Sequence, residues 1–240
     1  MFENVKAVLF DMDGTLIDSV GVWNEVDEEL ISELGGRAAG REIQIQRDAV
    51  LRENKDADNP YLEYCRFLGT KYRSEADAAA IMKRRYEISE EHLIRRIKYK
   101  ENADKFVRLL RMNGIRTAVV SSTRRDNMEI YRKRNADIMT RAPLDECFDR
   151  IYTREDAPSL KPAPDIYLAA LSQMGLCADE CLAFEDSLIG AEAAVAAGIR
   201  TAAVYDEYSE GDADALKAIT CGYFTCYSEV IDLFNSEVTE

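Results

Sequence analysis

The sequence predicts an α/β fold: a doubly wound parallel sheet with a helical segment inserted after its first strand. Three observations carry this. Short apolar runs of strand length end abruptly in polar, mostly acidic clusters. Helical stretches closed by glycine lie between those runs. One long segment near the N-terminus holds helix-like patterns and no buried strand. Strands alternating with helices of this length build βαβ units, and their continuous apolar runs indicate a sheet covered on both faces.

Val5-Lys6-Ala7-Val8-Leu9-Phe10 reads as a buried strand that runs into a turn at Asp11-Met12-Asp13-Gly14-Thr15. The segment from about 18 to 96 follows, with helical patterns over Asp18 to Leu34, Tyr61 to Leu68 and Glu75 to Tyr86. Asp18 or Ser19 is a candidate N-cap for the first of these. Residues 102–113 form a helical pattern ending at Gly114. Arg116-Thr117-Ala118-Val119-Val120 is the next strand and runs into Ser121-Ser122-Thr123. A helix over 164–174 starts near Pro164-Asp165 and ends at Gly175. Cys181-Leu182-Ala183-Phe184 precedes Glu185-Asp186-Ser187, and an Ala-rich helix over 188–197 ends at Gly198. Ile199 to Val204 is the last strand of this pattern, before Tyr205-Asp206. The expected division is a core of residues 1–17 and 97–240 and a helical cap of residues 18–96, packed over the strand ends.

Composition narrows the function. The chain has 240 residues, 47% hydrophobic and 32% charged, which excludes a fully disordered chain. Its 31 basic and 45 acidic residues leave a net charge of −14, so nucleic acid is not an expected partner. Residues 83–134 run the other way, with 16 lysines and arginines against 7 acids. Solvated helix faces are the plainer explanation, and a basic wall that attracts anions is the sharper one. No apolar stretch reaches the ~18 residues of a membrane span, and Met1-Phe2-Glu3-Asn4-Val5-Lys6 lacks the look of a secretion signal. A cytoplasmic location and no membrane partner are expected. The six cysteines form no CxxC pair and read as reduced, mostly buried thiols. His92 is the only histidine, which nearly excludes a Ser-His-Asp triad or a multi-histidine zinc site.

Each polar cluster follows a strand. In an open parallel sheet, ligands bind outside the carboxyl ends of the strands, so Asp11, Ser121 and Asp186 converge. Lys161, in Leu160-Lys161-Pro162-Ala163-Pro164-Asp165, precedes a helix and joins them. Clustered carboxylates repel one another and need a cation, and oxygen ligands suit Mg²⁺. A hydroxyl with backbone N–H groups at a strand end, together with a lysine, suits an anion. Cation, amides and lysine around a carboxylate make a phosphate site.

These motifs resemble those of the haloacid dehalogenase (HAD) superfamily. Asp11-Met12-Asp13-Gly14-Thr15 is similar to its DxDGT nucleophile motif, Ser121 to its second motif, Lys161 in Lys-Pro-x-Pro-Asp to its third, and Glu185-Asp186-Ser187 with Gly190 to its acidic fourth. All four occur in the family's order and span most of the chain. The resemblance implies a Rossmann-like core, and the insert resembles a C1 cap, most similar to the β-phosphoglucomutase-like phosphatases. It implies that Asp11 attacks phosphorus and forms an aspartyl phosphate, while Asp13 protonates the leaving oxygen and then deprotonates water. It implies that Thr15, Ser121 and Lys161 hold the phosphoryl group, and that Asp11, the backbone carbonyl of Asp13 and Asp186 bind Mg²⁺. Glu185 is implied as a more remote or water-mediated ligand.

The implied activity is Mg²⁺-dependent hydrolysis of a small phosphorylated metabolite such as a sugar phosphate. The alternatives are a phosphosugar mutase and an inert binding module. The mutase subgroup places a histidine roughly twelve residues past the nucleophile, where this sequence has Trp23. Trp23 otherwise reads as core or hinge packing. Arg47, Lys55, Arg84 and Arg85 read individually as solvated basic residues of the cap rather than substrate ligands. The helix over 191–197 reads as a packing helix. Specificity in such folds lies in cap loops, so these motifs name neither an individual substrate nor an oligomeric state.

Overall fold

The computed structural model describes residues 1–54 and 57–238. The chain forms two compact units, Met1–Ser19 with Ile97–Glu240 and Val20–Arg96. The first unit opens with strand β1 (Ala7–Phe10) and the short β2 (Ile17–Asp18). Helices α1 (Val22–Glu33), α2 (Gly40–Glu53), α3 (Pro60–Lys71) and α4 (Ala78–Arg95) make the second unit. The first unit then resumes with β3 (Lys98–Tyr99), α5 (Ala103–Met112), β4 (Arg116–Val120), α6 (Arg125–Lys133), α7 (Ala136–Arg141), α8 (Leu144–Cys147) and β5 (Arg150–Tyr152). It closes with α9 (Asp165–Met174), β6 (Cys181–Glu185), α10 (Leu188–Ala196), β7 (Arg200–Val204), α11 (Ala213–Ile219), β8 (Gly222–Phe224) and α12 (Tyr227–Val238).

Six strands form one parallel sheet in the order β5-β4-β1-β6-β7-β8. The chain winds outward from β1 through β4 to β5, then crosses back to β6 on the other side of β1. This is the doubly wound Rossmann-like topology the apolar runs predict. Its switch point falls on β1, flanked by β4 and β6, where such folds bind ligands. Both faces are buried because successive strand side chains alternate and both sets are apolar. Ala7, Leu9, Ala118 and Ala183 pack against Tyr167 and Ala170 of α9 and Ala193 and Ala194 of α10. On the other face Phe10 stacks on Phe184 with ring centroids 5.5 Å apart, and Phe106 of α5 meets both. β2 and β3 pair antiparallel, Asp18 opposite Lys98, where the chain leaves the first unit and re-enters it.

Several local expectations change. Neither Asp18 nor Ser19 caps the first inserted helix: α1 begins after Gly21 without a side-chain cap. Asp18 is in β2, and the Ser19 hydroxyl donates to Asp13 instead. α2 has no counterpart in the sequence pattern. Its buried stripe is Ile43, Arg47 and Val50, so an arginine takes a core position and breaks the apolar period. β5 and β8 also escaped, as three-residue strands on the two edges of the sheet. Of the six free cysteines, Cys65, Cys147 and Cys181 are buried, fewer than the sequence suggested.

The helical unit is organised around a buried carboxylate. Asp27 of α1 is fully buried and accepts from Arg47 Nη1 at 2.6 Å and from Arg85 Nε at 2.6 Å. Arg47 also donates to Asn24 Oδ1 at 3.0 Å. The Arg85 guanidinium lies 5.2 Å from the Trp23 ring centroid and 5.3 Å from that of Tyr61. Arg47 and Arg85 are therefore buried, not solvated as the sequence suggested. A guanidinium can enter a core where a carboxylate and aromatic faces replace its hydration. Arg84 stays at the surface and pairs with Glu33, while Lys55 lies outside the described residues. His92 is buried in α4 with Nε2 2.9 Å from Glu29 Oε2. Much of the basic stretch is neutralised locally, by pairs such as Arg96 with Glu25, Arg111 with Asp149 and Arg125 with Asp156. It forms paired surfaces rather than a basic wall. Among the described residues no helix is long and apolar enough to cross a membrane.

Candidate active site

Asp11 is the first residue beyond β1, and its backbone N–H bonds to Phe184 O of β6 at 3.0 Å. The register sets Phe10 beside Val119 and Phe184, so Asp11 stands level with the end of β4 and with Glu185. Ser121 follows β4, and Glu185 and Asp186 mark the end of β6. The three strand ends thus bring together residues 64 to 175 positions apart in the chain. Lys161 arrives from the loop before α9. Its ammonium donates to Asp11 Oδ1 at 2.5 Å, Glu185 Oε1 at 2.7 Å and the Val120 carbonyl at 2.8 Å. An ammonium has three donors, and all are used.

Asp11, Glu185 and Asp186 each offer an oxygen within 4.8 Å of the others, and all three are buried. Burial, above all, holds the Asp11 carboxyl well above the usual carboxylate range; Lys161 opposes this, and Glu185 and Asp186 reinforce it. Burial and then Glu185 push Asp186 up to about 7, against the hydrogen bond from Thr15. Burial works against the charge of Lys161, but Asp11 and Glu185 outweigh it and raise the ammonium above its ordinary value. Lys161 thus pairs with two of the three carboxylates, Asp11 and Glu185, and not with Asp186. Glu185 Oε2 is buried without a hydrogen-bond partner among the described residues. The donor set is all oxygen, hard and under-neutralised, which fits a small divalent cation such as Mg²⁺.

The remaining motif residues are placed as follows. Thr15 is fully buried and donates to Asp186 Oδ1 at 2.8 Å. Its hydroxyl is thus tied to that carboxylate. The Ser121 hydroxyl accepts from Thr123 N at 3.0 Å, which leaves its own proton free to donate. Asp13 is turned away from the carboxylate cluster. Its Oδ1 accepts from Ser19 at 2.6 Å and from Tyr131 at 3.1 Å, and its Oδ2 accepts from Thr123. The Tyr167 phenol donates to Glu185 Oε1 at 2.5 Å. Thr123, Tyr131 and Tyr167 were not singled out from the sequence. Thr123 stands two residues past Ser121 in the same loop, a usable signal. Tyr131 and Tyr167 sit at inward helix positions, where the pattern of a core aromatic is identical.

Gly14 shows how tightly the cluster is built. Its φ is +86°, and a Cβ there would lie 2.3 Å from Asp186 Oδ2. Gly14→Ala is expected to cost both backbone strain and the position of Asp186. Misplacing a ligand by about 1 Å can cost on the order of 10²-fold in rate. For Mg²⁺ held by this cluster, the expected result is a loss of that order in kcat with a raised Mg²⁺ requirement, read from turnover titrated with Mg²⁺; an unchanged titration would refute this role for Gly14.

Comparison with known proteins gives a consistent set. A family model described as haloacid dehalogenase-like hydrolase matches residues 5–198. The chain is 37% identical over 100 residues to Protein CbbY of Rhodobacter capsulatus, covering 42% of each. It is 25% identical over 215 residues to Hexitol phosphatase B of Escherichia coli strain K12, covering 87% of each. The match spans less than half the length of the CbbY protein and of other curated relatives. The fold is similar to that in the crystal structure of a putative beta-phosphoglucomutase from Thermotoga maritima. That match has a TM-score of 0.78 at 21% identity and covers 97% of this chain and 99% of the other.

Proposed function

The chain belongs to the haloacid dehalogenase-like hydrolase family, and on that premise we propose that it is a Mg²⁺-dependent phosphatase acting on a small phosphomonoester, in particular a sugar phosphate. The observation that carries this is the separation of two aspartates two residues apart. Asp11 faces Lys161 and the carboxylate cluster, while Asp13 is held apart by hydroxyls. That division supports Asp11 as the attacking group and Asp13 as the one that moves a proton. The name of Hexitol phosphatase B, covered over 87% of its length, supports the substrate class.

Asp11, Asp186, the Asp13 carbonyl and Glu185 would hold Mg²⁺, which when bound neutralises charge on the phosphoryl oxygens. Lys161 ties Asp11 to Glu185 and sets the direction of the attacking oxygen. Ser121, with a hydroxyl proton to give, supports the transferring phosphoryl group. In the first half, an Asp11 oxygen bonds to phosphorus and the ester P–O bond breaks. Its electron pair stays on the leaving oxygen, which takes a proton from Asp13. In the second half, water gives a proton to Asp13 as its oxygen bonds to phosphorus and the P–O bond to Asp11 breaks. Ester and water become alcohol and phosphate, and Asp13 recovers the proton it gave.

Hydrolysis is favoured over mutase chemistry by Trp23, which has no acceptor nitrogen and does not titrate near neutral pH. Phosphate release from p-nitrophenyl phosphate and from a panel of sugar phosphates tests the proposal. Release is expected with Mg²⁺, much less with Ca²⁺, whose larger and looser shell misplaces the phosphoryl oxygen, and none in EDTA. Full activity in EDTA would contradict the metal requirement. Conversion of β-glucose 1-phosphate to glucose 6-phosphate that outpaces phosphate release would favour the mutase.

A further inference from the structure

We propose that Tyr131 is a positioning residue for Asp13, setting the carboxyl group that moves the proton in each half of the reaction; this rests on the phosphatase reading above. Three hydroxyls meet Asp13, each from a different part of the first unit: Ser19 after β2, Thr123 after β4 and Tyr131 within α6. Among the described residues no lysine or arginine pairs with Asp13. The distinction is chemical. A cation at this distance would favour the carboxylate throughout the cycle. A hydroxyl both donates and accepts, so the same three groups serve Asp13 with its proton and without it by turning their O–H bonds.

Tyr131 differs from its two companions in how it is held. Serine and threonine hydroxyls swing with χ1. Ser19 is also the last residue before the chain enters the second unit at Val20. The Tyr131 hydroxyl instead ends a rigid ring that is 1% exposed and carried by a helix. At 3.1 Å from Asp13 Oδ1 its bond is long for a phenol on a carboxylate. Its contribution is therefore a fixed location more than bond strength. Tyr131→Phe removes that fixed point and keeps the buried ring.

The test uses leaving groups. An alkoxide needs a proton from Asp13 as it departs, whereas p-nitrophenolate leaves without one. kcat/KM reports the step that expels the leaving group. For Tyr131→Phe, the fall in kcat/KM on an alkyl ester such as glycerol phosphate is expected to exceed the fall on p-nitrophenyl phosphate by about tenfold. Asp13→Asn should show the same asymmetry more strongly, and the double variant should lose no more than Asp13→Asn alone. Equal losses on both esters, the signature of a merely structural role or of a damaged fold, would overturn the proposal. So would a further loss when Tyr131→Phe is added to Asp13→Asn. A wild-type protein that hydrolyses neither ester would overturn the phosphatase reading and this inference with it.

Discussion

Replacing Asp11 with Asn is expected to lower kcat by at least about 10⁴-fold while the protein stays folded. The substitution keeps the size of the side chain and removes the oxygen that bonds to phosphorus, so the covalent route closes. A loss of that size corresponds to about 5.4 kcal/mol of barrier. The fold should not suffer. Asp11 is one of three clustered, buried carboxylates, and burial and its acidic neighbours disfavour its charge. Lys161 retains Glu185 and the Val120 carbonyl after the change. The expected melting temperature is unchanged or higher, because mutual repulsion in the cluster is relieved. Measuring kcat and melting on the same sample separates the two effects. Turnover retained within about tenfold, only ~1.4 kcal/mol of barrier, would sink the covalent mechanism.

The largest stability effect is expected at Asp27→Ala. Asp27 is the carboxylate that Arg47 and Arg85 share inside the helical unit. Removing it leaves two buried guanidinium groups without their counter-charge, and Asn24 and the aromatic rings replace only part of what is lost. Breaking a buried pair by deleting one partner costs about 3–5 kcal/mol, far more than a surface pair is worth. By contrast, Glu33→Ala breaks the exposed pair with Arg84 and should cost under about 1 kcal/mol. Urea unfolding of both variants beside the parent provides the comparison. Equal and small shifts of the midpoint would show that the buried arginines find other partners.

The sequence was most legible where local pattern and tertiary role agree. The central strands are short, apolar and bounded by acidic or hydroxyl clusters, so β1, β4, β6 and β7 and the polar residues beyond β1, β4 and β6 could be read directly. The glycines that end α5, α9 and α10 mark those ends through positive φ at Gly114, Gly175 and Gly198. The pattern failed where a polar residue does the work of a core residue. Arg47 and Arg85 belong to the interior only because Asp27, from another helix, supplies their charge partner. No window of neighbouring residues contains that fact. Tyr131 failed for the same reason: its hydroxyl matters through Asp13, 118 residues away in sequence. Thr15 could be singled out in the motif, but the bond from its hydroxyl to Asp186 could not, since it spans 171 residues.

Trapping the phosphoryl group on the enzyme tests the central claim most directly. Turnover of a good substrate with Mg²⁺ would be quenched in acid and reduced with borohydride, which converts an aspartyl phosphate to homoserine. Peptide mapping should then place homoserine at position 11 and leave Asp13 and Asp186 as aspartate. Homoserine elsewhere, or none during turnover that is otherwise rapid, would contradict Asp11 as the nucleophile and point to direct attack by water.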